Sequence, residues 1–469
     1  MRFPLFSAAL LALAFVGPGA ARGAPSALAI PPSGVLGVGE AQLTPAFWIG
    51  LQAEPDRVIM DRAAIEAQNA RLLQVDPSMH DLRALPKSLA REQVTGWIEA
   101  LSELPRHQLF DVDGKPVAPA TLKGVVDNLA LGAVPASQPT RYGLIVQRAA
   151  LRTFPTTLRV FSSKGDTDID RFQESAEFPG TPVAIVHASA DGQWLFVVSP
   201  RYAAWTKKEN VAEGSAAQVF GYVDESPYRV VTGASVRTVF TPEQPAFSQL
   251  QLDMGTRVPL ATGLPPDQPV NGQTPYATHV IELPLRAADG TLKLAPALLQ
   301  KNTDTAGDYL PLTRANILRQ AFKFLGERYG WGHSYDGRDC SGFVSDVYRS
   351  MGVQMPRNTS KQAISPALAH RTFTDADSHE ARLQAAHELQ VGDLVYIPGH
   401  VMMVIGQFNG QPYVINDVGG MTYRKPDGSF GHVKLNSVAV MPLIPNLYNH
   451  KQSYVDRMTS IVRIRPQGN

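Results

Sequence analysis

The sequence holds a single cysteine, Cys340, in 469 residues. That scarcity excludes an internal disulfide framework. Neither sign of charge is in surplus: Lys+Arg 43 against Asp+Glu 42 leaves a net +1 without charge blocks. This balance argues against a nucleic-acid binder or a polybasic membrane binder. After the first residues no apolar run is long enough for a membrane span, so none is expected once a leader is removed. The 11 histidines show no metal-ligand spacing, and neither a metal nor a cofactor is expected.

Turn-forming residues, by contrast, are plentiful. Gly 38 and Pro 37 beside 44% hydrophobic residues predict many short strands around ordinary globular cores. The length predicts roughly three or four domains. Met1-Arg2, the apolar stretch Leu5 to Val16 and Gly17-Pro18-Gly19-Ala20-Ala21 have the three-part layout of an export signal, placed over 1–23. The expected location is therefore the periplasm or the cell envelope. An exported chain that keeps one thiol is expected to use it, unless the thiol is simply buried.

From Ala24 to about Thr44 the chain is rich in Pro, Gly and Ala and reads as a linker. A mainly helical pattern follows, with Ile59, Ala63, Ile65, Ala70, Leu72 and Leu73, then Val94, Trp97, Ile98 and Leu101, giving a packing domain over 24–140. Short alternating runs then predict a small β-barrel over 141–214, including Leu158 to Phe161, Pro182 to Val186 and Trp194 to Val198. Ala190-Asp191-Gly192 supplies a hairpin turn. A second barrel is expected over 215–302 from Val219 to Val223, Tyr228 to Val231, Val236 to Phe240 and His279 to Leu283. One larger β-sandwich fits the same periodicity almost as well.

The last unit, 303–469, carries the chemistry. Leu312-Thr313-Arg314 opens a helix whose Ile317, Leu318, Ala321, Phe322 and Leu325 share a face. A glycine-rich aromatic loop, Tyr329-Gly330-Trp331-Gly332-His333, leads to Asp339-Cys340-Ser341-Gly342 and an amphipathic stretch that Gly352 is placed to end. Asp339 is a good N-cap, which puts Cys340 in the first helical turn. There the helix dipole and free backbone N–H groups favour a thiolate and offer donors to an oxyanion. The bland alternative is a small buried hydrophobe. The position at the helix start, and a downstream histidine in strand context, weigh against it. His400 begins one predicted strand, Asn409-Gly410 forms a hairpin turn, and Asn416 ends the next strand. A Cys-bearing helix on an antiparallel sheet carrying His and Asn has a papain-like layout, in which imidazole shuttles the thiol proton and a third polar group orients the ring. His432 and Asp417 are rival orienting groups, and His333 a rival base.

These residues resemble a known family. Tyr329-Gly330-Trp331-Gly332, Arg338-Asp339-Cys340-Ser341-Gly342-Phe343, Gly392-Asp393-Leu394 and Gly399-His400-Val401 are similar to the NlpC/P60 cell-wall cysteine peptidases, over roughly the last third of the chain. Gly180 to Val183, Ser189 to Trp194 and Tyr202 to Trp205 resemble, more loosely, the branch with a helical stabilising domain and two bacterial SH3-like barrels. The resemblance implies an α+β multidomain protein: a mainly helical N-terminal domain, two SH3-like barrels and a papain-like catalytic domain. It implies a γ-D-glutamyl-L-diamino-acid endopeptidase acting on peptidoglycan stem peptides, with Cys340 as nucleophile, His400 as base and Asn416 as orienting residue. Many relatives have histidine at that third position. Tyr329, Asp339 and Ser341 match positions lining the cleft, and Arg357 is a candidate cation for the D-glutamate carboxylate. Glu174 and Tyr202 are the nearest matches to an acid and a tyrosine that bind the free amine of L-Ala. His333 replaces a residue that is often glycine. Two other readings compete: a catalytically silent wall-binding module, and an acyltransferase or amidase using the same triad.

Overall fold

The structure is a computed structural model that describes residues 28–265 and 267–466. The export-signal expectation over 1–23 lies outside the described residues.

Helices α1 (Pro45–Gly50), α2 (Arg62–Val75), α3 (Arg91–Leu101) and α4 (Pro119–Asp127) dominate the first part, with short strands β1 (Val58–Met60), β2 (Ser88–Ala90) and β3 (Ser137–Pro139). They do not enclose a core of their own. Trp48 of α1 is fully buried against the C-terminal unit, its ring 5.1 Å from that of Tyr413. Asn69 of α2 donates to the Gly352 carbonyl at 2.8 Å. Helices α3 and α4 instead send Val94, Ile98 and Val125 into the core of the following β unit. The stretch expected as a linker is a strap across the C-terminal sheet, where Tyr413 Oη and Tyr423 Oη donate to the carbonyls of Gly37 and Gly34 at 2.8 and 2.9 Å. Its glycines read as a linker signal, whereas they allow close approach to that surface.

Strands β4 (Arg141–Ile145), β5 (Ala149–Arg152), β6 (Gln173–Glu177), β7 (Pro182–Ala188), β8 (Trp194–Val198), β9 (Ala203–Lys207) and β10 (Val211–Gly214) form one antiparallel sheet in the order β10-β4-β7-β8-β9-β5-β6. The run Leu158 to Phe161 is not a strand; only Phe161 makes an isolated bridge, to Phe110.

Val219 to Val223 is helical, within α5 (Ala216–Asp224), rather than extended. Ser215 and Gln218 form a capping box, and Val219 and Tyr222 fall on one buried face three residues apart. A second small β unit follows: β11 (Tyr228–Val231), β12 (Ser235–Arg237), β13 (Gln251–Asp253), β14 (Arg257–Pro259), β15 (Thr278–Arg286), β16 (Leu292–Gln300) and β17 (Thr305–Ala306). It pairs as β14-β11-β17, β12-β13 and β15-β16 around Val231, Phe247, Leu252, Ile281 and Leu299.

The C-terminal unit contains β18 (Leu312–Thr313), α6 (Arg314–Phe322), α7 (Cys340–Arg349), α8 (Thr359–Gln362), β19 (Ala369–Thr372), α9 (His379–His387), β20 (Leu394–Ile397), β21 (His400–Phe408), β22 (Gln411–Arg424), β23 (Phe430–Pro442) and β24 (Ser460–Arg463). Its antiparallel sheet runs β19-β24-β20-β21-β22-β23. Asn409 and Gly410, with φ of 50° and 73°, make the two-residue turn between β21 and β22. Val401, Met403 and Ile415 pack with α6 and α7 on one face, while Met402, Val404 and Val414 pack with α9 on the other. This sandwiching explains why β21 reads as a nearly continuous apolar run.

Candidate active site

Asp339 caps α7: its Oδ1 accepts the Gly342 N–H at 2.8 Å. Its Oδ2 accepts the Gly332 N–H at 3.1 Å and Arg357 Nη2 at 2.7 Å. Cys340 is therefore the first residue of the helix, 5% exposed. His400 begins β21, a strand packed on α7, and the backbone N–H of the next residue, Val401, acts to lower the Cys340 thiol pKa. The hairpin carries Asn416 back beside His400, where Nε2 of the imidazole meets Asn416 Oδ1 at 2.7 Å. The Asn416 amide nitrogen donates to the Ala439 carbonyl at 3.3 Å, which fixes its oxygen toward the ring. Imidazole and amide thus hold each other in one orientation.

Electrostatics at the nucleophile depart from the sequence expectation. Burial pushes the Cys340 thiol up to about 12, reinforced by Asp339 and Asp417 and opposed by the Val401 N–H and by Arg357. Burial also pulls His400 below its ordinary value, against the Asn416 hydrogen bond. The resting pair is accordingly neutral thiol and neutral imidazole rather than a preformed ion pair.

The remaining candidates converge from two units. Arg357 is 3% exposed and spends its donors on Asp339 at 2.7 Å, Ser341 Oγ at 2.7 Å and Ser175 Oγ at 2.7 Å. The last bond reaches into the first β unit, so this guanidinium ties β6 to the start of α7. Beside Ser175, Glu174 accepts the Tyr202 hydroxyl at 2.5 Å and Thr153 Oγ1 at 2.7 Å. Burial and Glu174 raise the Tyr202 phenol, while Asn358 and Arg357 oppose the shift. Tyr329 lies within electrostatic reach of Cys340, Asp339, Asp417 and Arg357. Hydrogen bonds thus link Ser175 of β6, Arg357, Asp339 and Ser341 at the start of α7, while His400 and Asn416 pair across β21 and β22. Beside Tyr202 and Arg357 a pocket of about 210 Å³ is lined also by His80, Trp97 and Leu101, so the helical segment reaches the site.

The loop before α7 is the dock. Trp331 Nε1 donates to the Gln173 carbonyl at 3.0 Å, and Gln173 Nε2 to the Gly332 carbonyl at 2.8 Å. A side chain at Gly332, where φ is 56°, would meet the β6 backbone at 3.0 Å. His333 is buried, with φ of 63°, and its ring lies against Phe178 and over Gly342. Burial and the surrounding arginines hold its pKa well below the ordinary value. His432 is exposed and bonded to Thr422 Oγ1 at 3.0 Å, away from His400. Asp417 is fully buried, and neither of its carboxyl oxygens has a hydrogen-bond partner among the described residues. Burial and the nearby Asp339 push it up to about 9, so it is a neutral acid. Sequence reading did not reach the Val401 N–H or the Ser175 and Gln173 contacts. A backbone donor leaves no side-chain signal, and interunit docking none that local periodicity reveals.

Residues 326–437 match the NlpC/P60 family, and residues 159–207 match an SH3 domain of the SH3b1 type. No curated protein matches the chain by sequence. Among solved structures, an NlpC/P60 endopeptidase from Photobacterium damselae subsp. piscicida is 18% identical with a TM-score of 0.69, covering 90% of this chain and 97% of that one. An NlpC/P60 family protein from Bacillus cereus is 20% identical with a TM-score of 0.47, covering 69% of this chain and 100% of that one. The peptidoglycan hydrolase RipB from Mycobacterium tuberculosis is 22% identical with a TM-score of 0.21, covering 32% of this chain and 64% of that one. The first of these is a likeness of fold along nearly the whole chain.

Proposed function

Because residues 326–437 form an NlpC/P60 family domain and residues 159–207 an SH3 domain of the SH3b1 type, we propose that the protein is a cell-wall cysteine peptidase. Its substrate in this reading is a peptidoglycan stem peptide, cut after γ-D-glutamate and before the diamino acid. The observation that carries it is the locked His400–Asn416 pair beside a helix-capped thiol.

Asn416 Oδ1 accepts from His400 Nε2–H, which leaves Nδ1 with the free lone pair. As the γ-carbonyl of the substrate approaches, Nδ1 takes the Cys340 proton and the sulfur bonds to that carbonyl carbon. The first N–H groups of α7, at Cys340 and Ser341, have no acceptor among the described residues and lie where an oxyanion forms. Collapse of the tetrahedral species breaks the C–N bond, and His400 returns its proton to the departing amine. Water then cleaves the thioester by the same route in reverse. A neutral resting pair suits this scheme, since proton transfer accompanies attack rather than preceding it.

Glu174 and Tyr202 supply the preference. A carboxylate held by Tyr202 and Thr153 beside Ser175, the residue that Arg357 ties to the start of α7, suits the ammonium of a free N-terminal L-Ala, as in wall-turnover fragments. Arg357 holds Asp339 and Ser341 in place and lends its positive charge to the glutamyl side. The export signal and the family together favour action in the periplasm or cell envelope. Intact Cys340, His400 and Asn416 count against a silent wall-binding module.

The test is incubation of L-Ala-γ-D-Glu-diaminopimelate with the mature protein, followed by chromatography of the products. Free diaminopimelate is the expected product. Cleavage at another bond, or equal rates on this tripeptide and on intact cross-linked sacculi, would contradict the assignment.

A further inference from the structure

Behind the cleft, where the two β units and the catalytic domain meet, lies a cavity of about 210 Å³. Each unit sends one guanidinium to its wall: Arg201 from the first, Arg257 from the second and Arg349 from the end of α7. Among the described residues that line it, Glu177 is the one acid. The Arg201 side chain is 12% exposed, makes no hydrogen bond among the described residues, and meets Glu177 only at 3.7 Å. Glu177 itself already accepts Ser199 Oγ at 2.7 Å. Arg257 donates to the carbonyls of Val223 and Glu225, stacks 3.9 Å from the Tyr228 ring, and has no carboxylate within ion-pair distance among the described residues. Arg349 binds the Met254 carbonyl and shares Asp346 with Arg338.

Neutral donors add to the imbalance. Thr256 is 6% exposed, and its Oγ1 is enclosed with no partner among the described residues. The Tyr309 phenol, also in the wall, makes no hydrogen bond there either. Buried donors without acceptors are costly, and guanidinium groups match planar and tetrahedral oxyanions through paired N–H bonds. Burial, and then the proximity of Arg201 against the pull of Asp346, hold Arg349 below the usual guanidinium range. An anion between the two cations would relieve that repulsion. Phe178, Val353 and Met355 supply apolar walls for a short carbon frame.

We propose that this three-way junction binds a small oxyanion, a carboxylate- or phosphate-bearing molecule, held by Arg201, Arg349 and Thr256. Cys340, His400 and Asn416 do not line the cavity; the shared element is α7, which carries Cys340 at one end and Arg349 at the other. The site is thus distinct from the Cys340–His400–Asn416 centre, although Arg201 also lines the pocket beside Tyr202 and Arg357, and it does not depend on the peptidase reading. Because the ligand would touch all three units, its binding adds directly to the stability of the assembled chain.

The experiment is thermal unfolding and calorimetric titration of the full mature protein with sodium phosphate and with D-glutamate, against sodium chloride at equal ionic strength. Saturable stabilisation by at least one probe is expected; phosphate alone assigns a phosphate-type ligand, and glutamate alone a carboxylate. Arg201→Met should weaken that binding at least about 10-fold, as expected for loss of a charged hydrogen bond. Thr256→Val, which keeps the shape of the side chain, should weaken it about 3-fold at unchanged peptide turnover, and it carries the test if the arginine variant does not fold. The proposal is overturned if neither probe exceeds chloride, or if Thr256→Val and Arg201→Met bind as tightly as the wild type.

Discussion

At the scale of single residues, the site is built from pairs that constrain each other. Asn416 fixes His400, Asp339 fixes the start of α7, and Arg357 fixes Asp339. Asp417 stands apart, because no protein group satisfies it among the described residues. Its folded value of about 9 lies well above the roughly 3.9 of an exposed aspartate. The folded state therefore holds a proton that the unfolded chain releases. This stabilising contribution is complete below about pH 3.9 and is lost as pH rises through 9. Asp417→Asn removes the dependence, so its melting temperature relative to wild type should climb between about pH 4 and pH 9. Parallel melting curves across that range would show that Asp417 is not the responsible group. Cys340 and His400 were legible in the sequence because their chemistry is rare or strongly placed. The protonation of Asp417 was not, since it depends on burial and on Asp339, which is 78 positions away in the chain at the start of α7.

At the scale of elements, legibility followed how local the determining signal is. Helix α7 was readable from its N-cap, its amphipathic spacing and Gly352, whose φ of 82° ends it. The β21–β22 hairpin was readable from Asn409-Gly410. Helix α5 was misread as a strand, because Val219-Phe220-Gly221-Tyr222-Val223 alternates in size and the Ser215–Gln218 box was the stronger local signal. The strap before α1 could not be read locally at all, since its partners Tyr413 and Tyr423 are hundreds of residues away. Strand β6 carries Glu174, and its neighbour Ser175 receives Arg357. Tyr202→Phe deletes the hydrogen bond that orients Glu174. It should lower kcat/KM about 10-fold for peptides with a free N-terminal alanine, the usual effect of one bond to a charged group. N-acetylated peptides should be unaffected. An equal fall for both would place Tyr202 outside amine recognition.

At the scale of the whole molecule, the units are joined by buried charge rather than by loose surface contact. Asp253 of the second β unit is fully buried and receives Arg148 from the first at 2.5 Å and Arg338 from the catalytic domain at 2.8 Å. Arg338 also reaches Asp346 at 2.7 Å and Glu327 at 2.9 Å. Arg338→Met leaves Glu327 without an ion-pair partner among the described residues and Asp253 and Asp346 with one arginine each, Arg148 and Arg349, and a cost of about 3–5 kcal/mol is expected from denaturant unfolding. A loss under about 1 kcal/mol would mean that the units are not held through this node. The division into a helical part, β units and a sheet-based catalytic unit was visible in composition and periodicity. The sharing of the helical part between two cores was not, because a helix face does not name its partner. This shared framework ties Ser175, beside Glu174 on β6, through Arg357 to Asp339 at the start of α7.

The central claim is that Cys340 forms a thioester with the glutamyl carbonyl. Rapid acid quench of the enzyme with L-Ala-γ-D-Glu-diaminopimelate, followed by intact mass and peptide mapping, tests it directly. An added L-Ala-γ-D-Glu mass is expected on the peptide that contains Cys340, and none in Cys340→Ala, which should also be inactive. Turnover without such an adduct, together with activity in Cys340→Ala, would contradict it.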